Sequence, residues 1–256
     1  MLKFFVCIIG LLSFNLVSSQ TDINKFNAKG EKHGKWRELY ENSKIPKYEG
    51  EFVNGKPVGT FTYYYPNKVL KSVMVFDKNT DISRCTMYDE NGKKNAFGKY
   101  VKKEKDSVWT YYSPPGYVSY KESFRNGLLH GEKIVFYPPE NERSTAQQIY
   151  QQYFYVNGLL EGPVKEFFPD GKLKLDGMYV KDQFHGEVKK YHPNGKLFFH
   201  ERYKHGKRHG WWATYDEKGK ELGRVLYQNG HELKGKLEKK KLEELKAKGI
   251  SPNSLD

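Results

Sequence analysis

The chain has 256 residues, 37% hydrophobic and 16% aromatic, with 20 Tyr, 16 Phe and 4 Trp. That aromatic content excludes a disordered chain, and the 24 glycines follow no G-X-Y period, which excludes collagen. Lys and Arg number 44 against 31 Asp and Glu, a net charge of +13 that favours acidic partners, and two cysteines cannot build a disulfide framework.

Lys3 precedes an apolar run from Phe4 to Val17, broken only by Ser13 and Asn15. At 14 residues the run is shorter than the roughly 20 that span a membrane. Val17-Ser18-Ser19 supplies small residues of the kind signal peptidase reads. Residues 1–19 are therefore expected to be an export signal cut after Ser19, with Gln20 as the new N-terminus and a periplasmic, envelope or secreted location. Cys7 lies within the apolar run, not at its end, which argues against a lipoprotein signal.

From residue 27 to residue 234 the chain repeats with a period of 24. With Gly34, Gly59, Ser83, Ser107, Gly131, Gly162, Gly186 and Gly210 as anchors, the spacings are 25, 24, 24, 24, 31, 24 and 24. Five residues after the anchors stand Leu39, Tyr64, Tyr88, Tyr112, Phe136, Phe167, Tyr191 and Tyr215. Seven residues before each anchor from Gly59 onward stand Phe52, Phe76, Tyr100, Phe124, Tyr155, Tyr179 and Tyr203, and Tyr227 continues the series. Glycine keeps the same period, four before the anchor (Gly55, Gly127, Gly158, Gly206) and nine after it (Gly92, Gly171, Gly195, Gly219). Asn-Gly and Asp-Gly pairs at these places suit the positive φ of tight hairpin turns. The runs between them are rich in Tyr, Phe, Val and Trp, which favour strands. Each unit thus reads as one β-hairpin.

The 31-residue spacing holds a seven-residue insertion near Pro138 to Arg143, a polar stretch fit for a longer loop. The units on Ser83 and Ser107 are the least regular. Positions two and five after the anchor have opposite strand parity, yet both are often apolar, as in Trp109 and Tyr112. Either a bulge intervenes or both faces of the sheet carry aromatics. Beyond the repeats, residues 235–256 form a charged tail in which Lys236 to Lys248 lacks Gly and Pro. Leu237, Leu242 and Leu245 are spaced for one loose helical face, so a short helix is expected to cover the last hairpin. The predicted fold is all-β: an elongated single-layer meander of about eight β-hairpin repeats with a short C-terminal capping helix.

Units such as Phe52-Val53-Asn54-Gly55-Lys56-Pro57-Val58-Gly59 and Tyr203-Lys204-His205-Gly206-Lys207-Arg208-His209-Gly210-Trp211-Trp212 resemble the MORN repeat. The following Tyr191-His192-Pro193-Asn194-Gly195-Lys196-Leu197 is similar to the second half of its bacterial variant. The resemblance implies hairpin sheets that serve as binding scaffolds for proteins or phospholipids. It also implies kinship with proteins described as antitoxin components of toxin–antitoxin pairs, whose cytoplasmic setting the export signal departs from.

The sequence carries no G-x-S-x-G, P-loop, H-E-x-x-H or dinucleotide fingerprint, so an enzyme is the least favoured class and no cofactor is expected. His33, His130, His185 and His209 each precede an anchor, a repeated turn position. His192, His200, His205 and His209 lack the spacing of a metal site. Cys85 falls two after its anchor, where other units place Trp36, Phe61, Trp109 and Val164, and reads as a small core residue. One cluster stands out: Lys204, His205, Lys207, Arg208, His209 and Trp211 crowd one turn with no carboxylate among them. It is the expected binding site for an acidic protein partner, with anionic lipid as the alternative. Export and the regularity of the rings disfavour nucleic acid.

Overall fold

The structure is a computed structural model that describes residues 22–140 and 147–254. The expected export signal lies outside the described residues, as do residues 141–143 of the expected loop. That loop leaves from Tyr137, whose N–H donates to the Gln148 carbonyl at 2.8 Å.

The described chain forms one 21-stranded antiparallel sheet in which strands pair with their neighbours in sequence, from Lys25–Phe26 to His231–Leu233. It is the single-layer meander that the 24-residue period predicts. Six of the eight units enter through a tight turn whose two central residues take positive φ, as at Asn54 and Gly55 (49° and 75°), Asn157 and Gly158 (49° and 88°) and His205 and Gly206 (47° and 73°). This is the geometry whose twist matches that of the flanking strands. Lys102-Lys103 and Lys181-Asp182 adopt it without glycine. The second turn is closed by a side chain: Asp216 Oδ1 accepts from the N–H groups of Lys218 and Lys220, and Asp89 Oδ1 from Asn91 and Lys93.

The anchors owe their glycine to backbone shape. Gly34, Gly59, Gly131, Gly162, Gly186 and Gly210 all have φ between 65° and 120°, and Ser107 holds 58°. Each anchor pairs with the ring that precedes the next anchor by seven: Gly59 with Phe76, Ser107 with Phe124, Gly186 with Tyr203, Gly210 with Tyr227. On the other side of the anchor strand the register jumps, between Glu49 and Glu51 and between Phe97 and Lys99. The residues skipped are Gly50 and Gly98. The ring two residues after the anchor folds over each of them, so that a Cβ on Gly50 would lie 2.4 Å from Phe61 and one on Gly98 2.1 Å from Trp109. The Ser83 unit shows the converse. It pairs without this bulge, its anchor is not at positive φ, Met74 stands opposite, and the small Cys85 takes the ring's place. Its irregular sequence is a flat hairpin, whereas the Ser107 unit keeps the regular geometry.

The parity conflict resolves both ways at once. In all eight hairpins the register shifts between the fourth and fifth residues after the anchor, with the extra residue (Phe198 and Leu222 in the last units) on the partner strand. Alternation continues on the anchor strand, so the rings at positions two and five face opposite ways. Tyr64 accordingly bonds Glu49 and Thr62 across the sheet from Phe61.

One face carries a spine of rings. Trp36, Phe52, Phe61 and Phe76 follow one another with centroids 5.9, 5.1 and 5.2 Å apart. Tyr179, Phe184, Tyr203, Trp212 and Tyr227 do so at 4.3, 5.3, 5.1 and 5.2 Å. Phe61, Trp109, Val164 and Val188 are fully buried at position two. The indoles are satisfied too: Trp109 and Trp212 Nε1–H donate to the Lys99 and Arg202 carbonyls at 3.0 and 2.9 Å.

A helix spans Lys236–Ala247, and the chain then folds back through residues 250–254. Helix and tail cover the face opposite the spine at the last hairpin, where Leu226 is 2% exposed. Leu245 faces the sheet, but Leu237 is 64% exposed and does not share the packed face that its spacing predicts. Among the described residues no helix is long and apolar enough to cross a membrane.

The ring-over-glycine contact yields a test with an internal control. Gly98→Ala should lower the unfolding free energy by about 2–3 kcal/mol, because Trp109 has no room to yield. Gly177→Ala, where the nearest contact is a Val188 methyl at 3.2 Å, should cost clearly less. Equal shifts of the denaturant midpoint would contradict the assigned packing.

Candidate interaction site at the C-terminal hairpins

The two faces differ in chemistry. The spine face is aromatic and half-buried. The outer face is ion-paired at its ends, through Arg37 with Glu49 near the first unit and through Glu187 with Lys189 and Arg202 near the last. Lys189, Arg202 and His200 around Glu187 hold its carboxyl below the usual carboxylate range. Between these ends the outer face exposes Val75, Phe97, Val108, Phe154 and Met178.

Cations close the spine at intervals. Lys32 Nζ sits 4.3 Å from the Trp36 ring, Lys105 Nζ 4.6 Å from Trp109, and the Arg208 guanidinium 4.6 Å from Trp212 and 5.2 Å from Tyr227. Each also donates to a tyrosine hydroxyl: Lys32 to Tyr48, Lys105 to Tyr111, Arg208 to Tyr227. A cation stands two before the anchor in the three units that place Trp two after it. The other five units have Pro57, Asp81, Leu129, Leu160 and Phe184 there. This pairing was legible in the sequence and went unread. A Trp stacked on one strand leaves a wide ring face uncovered, and a long cationic side chain covers it while keeping its charge near water.

The six residues of the predicted cluster do not share one surface. Lys204 and Lys207 pair across the hairpin on the outer face. Arg208 pairs with Tyr203 and belongs to the spine face, where it packs on the rings of Trp212 and Tyr227. His205 lies exposed at the turn, its ring 4.9 Å from that of His185. Trp211 is half-buried on the outer face opposite Leu226, with the Arg224 guanidinium 5.6 Å from its ring. His209 is partly covered by the tail: its Nε2 lies 3.0 Å from the Ser254 carbonyl. Lys204, Lys207 and Trp211 thus bound an outer-face corner, and Lys204 and Lys207 form no ion pair there among the described residues.

The turn histidines brace the sheet. His33, His130 and His185 Nδ1 lie 3.4–3.5 Å from the N–H of the next unit's turn residue, Asn54, Asn157 and His205, long for a hydrogen bond. On the opposite margin, side chains six after the anchor reach the next unit: Tyr40, Tyr65 and Tyr137 hydroxyls donate to the Tyr64, Tyr88 and Phe167 carbonyls, and His192 Nε2–H to Tyr215. Among the described residues no group of three His, Cys, Asp or Glu is placed to hold a metal ion. Cys85 is buried, and burial pushes its thiol up to about 11.

A family model described as the MORN repeat variant matches residues 57–78, 160–181 and 184–205. Each segment holds the second turn of one hairpin, at Asn67, Asp170 and Asn194. No curated protein matches the chain.

Two measurements check the site chemistry. Arg208→Ala should cost about 1 kcal/mol of stability through the lost stacking, while Lys207→Ala on the same turn stays within about 0.5 kcal/mol; equal effects would remove Arg208 from the spine. Cys85, neutral and buried, should resist thiol reagents at pH 8 in the folded protein and react at once in denaturant. Fast labelling of the native chain would contradict its burial.

Proposed function

We propose, from the match of three segments to the MORN repeat variant, that the chain is an exported, non-enzymatic scaffold that binds an acidic protein through the outer-face corner at its last hairpins. The observation that carries this reading is the corner itself. Lys204 and Lys207 stand side by side without an ion pair among the described residues, and Trp211, a residue type enriched at binding hot spots, lies on the same face. Glu187, the outer-face carboxylate on the adjoining anchor strand, is engaged by Lys189 and Arg202. Two unpaired charges on a rigid hairpin raise local attraction for an anion without a large cost in side-chain entropy. The short apolar run and the Val17-Ser18-Ser19 site support export.

The double reversal Lys204→Glu/Lys207→Glu avoids the ring-packing Arg208 and should leave the fold intact. With poly-glutamate as the probe at low salt, it should weaken binding about tenfold and flatten the salt dependence. Unchanged binding would place the site elsewhere on the sheet. Phosphatidylglycerol vesicles form the second arm: capture by vesicles without binding to poly-glutamate would replace the protein partner with a lipid surface. For export, N-terminal mass analysis of the native protein should find Gln20 first. A cytoplasmic species retaining Met1 would overturn that part of the reading.

A further inference from the structure

One of the hydrogen bonds that hold the tail over the sheet at the last hairpin depends on a histidine in an unusual setting. Beyond the helix the chain reverses at Gly249, at φ 65°, and Ile250 N–H donates back to the Leu245 carbonyl. Residues 250–254 then meet the sheet through three hydrogen bonds. Trp211 N–H donates to Asn253 Oδ1 at 3.0 Å, Arg202 Nη1 donates to the Asn253 carbonyl at 3.0 Å, and His209 Nε2–H donates to the Ser254 carbonyl at 3.0 Å. The approach is close: a Cβ on Gly210 would lie 2.8 Å from Asn253 Oδ1 and 3.0 Å from the Pro252 carbonyl. Beneath the tail lies a hollow lined by His209, Leu226, Leu233, Leu245, Ile250 and Pro252.

Because a carbonyl can only accept, the bond to Ser254 fixes the proton of neutral His209 on Nε2. Nδ1 is then bare, buried, and without a hydrogen-bond partner among the described residues. A second proton would have to go there, into a place with no acceptor. The charged groups facing the ring make that worse: Lys204 and Arg202 from the strand Leu197–Lys204, and Lys241 from the helix, are all cationic. Arg202 is paired to Glu187 and Lys241 to Glu244, each carboxylate already engaged. Burial first, and these cations with it, hold the imidazole below its ordinary range while the tail is docked, outweighing the bond to the Ser254 carbonyl, which favours the charged ring.

We propose that residues 250–254 form a strap over the outer-face corner that lets go when His209 takes up a proton, uncovering Trp211 and Leu226. The sign follows from linkage. The docked state binds fewer protons than the open one, so docking is at full strength above the ordinary histidine value of about 6.5 and weakens as pH falls below it. In the open state Trp211 joins Lys204 and Lys207 as a continuous apolar and basic surface. The consequence for partner binding rests on the function proposed above; the strap itself does not.

The test therefore uses the full chain without any partner. Hydrogen exchange at the Trp211 amide, corrected for the intrinsic effect of pH, should speed up about tenfold between pH 7.5 and 5.5, the ratio set by a free histidine of ordinary value. Amides of the strand Gly186–Tyr191 should not respond. His209→Asn retains a donor toward the Ser254 carbonyl and cannot be protonated, so its Trp211 amide should exchange equally at both pH values. A wild-type amide that ignores pH, or a variant that responds as wild type does, would overturn the proposal. Where His209→Asn leaves the strap open at both pH values, the wild-type imidazole decides. Its titration by NMR must have a midpoint below the ordinary histidine value of about 6.5, and a midpoint at or above that value would also overturn the proposal.

Discussion

A single-layer sheet has no second layer to bury its side chains against, so each ring must be buried by the hairpin beside it. That constraint explains most of the repeat. A ring two residues after the anchor needs space, and Phe61 and Trp109 find it over Gly50 and Gly98 in the preceding strand. Reaching over requires the anchor strand to bow, and the bow requires positive φ at the anchor, which glycine supplies and Ser107 tolerates. The Ser83 unit, by contrast, has no positive φ at its anchor, no bulge toward the preceding strand and no ring, only Cys85. Stability in such an array passes from neighbour to neighbour, without one central core.

Charge follows the same geometry. The spine buries rings but leaves their outer surfaces near water, and Lys32, Lys105 and Arg208 fill that position over the three tryptophans. These three cations are thus part of the packing, whereas Lys204 and Lys207, at the end of the sheet, are not. The final hairpin lacks a following unit, and helix and tail take over part of the covering that a ninth hairpin would give.

The anchors, the ring series and both turns were legible because each reflects a local backbone requirement that recurs every 24 residues. Face assignment was not. Counting parity from Trp109 to Tyr112 finds a conflict, but the bulge that goes with it sits on the partner strand, at Ser119, which no count along one strand can locate. The roles within the cluster at 204–211 failed for a related reason. Adjacent residues of a hairpin point to opposite faces, so Arg208 and Lys207 were neighbours in sequence and strangers in space. Leu237 shows the limit of helical periodicity, since a helix on an edge buries one narrow stripe and Leu245 falls on it while Leu237 does not. The return of Asn253 to Arg202 and Trp211 is a contact across more than forty residues with no periodic signature at all.

The central claim is that neighbouring hairpins bury one another's rings, with no core shared along the whole sheet. Native-state hydrogen exchange on a Trp109→Ala chain tests it most directly. The account predicts that protection falls most in the strands Lys94–Val101 and Glu104–Tyr112, less in the next hairpin on either side, and least in Lys32–Leu39 and Gly210–Tyr215 at the two ends. A uniform loss of protection along the whole sheet would show a shared global core and contradict it.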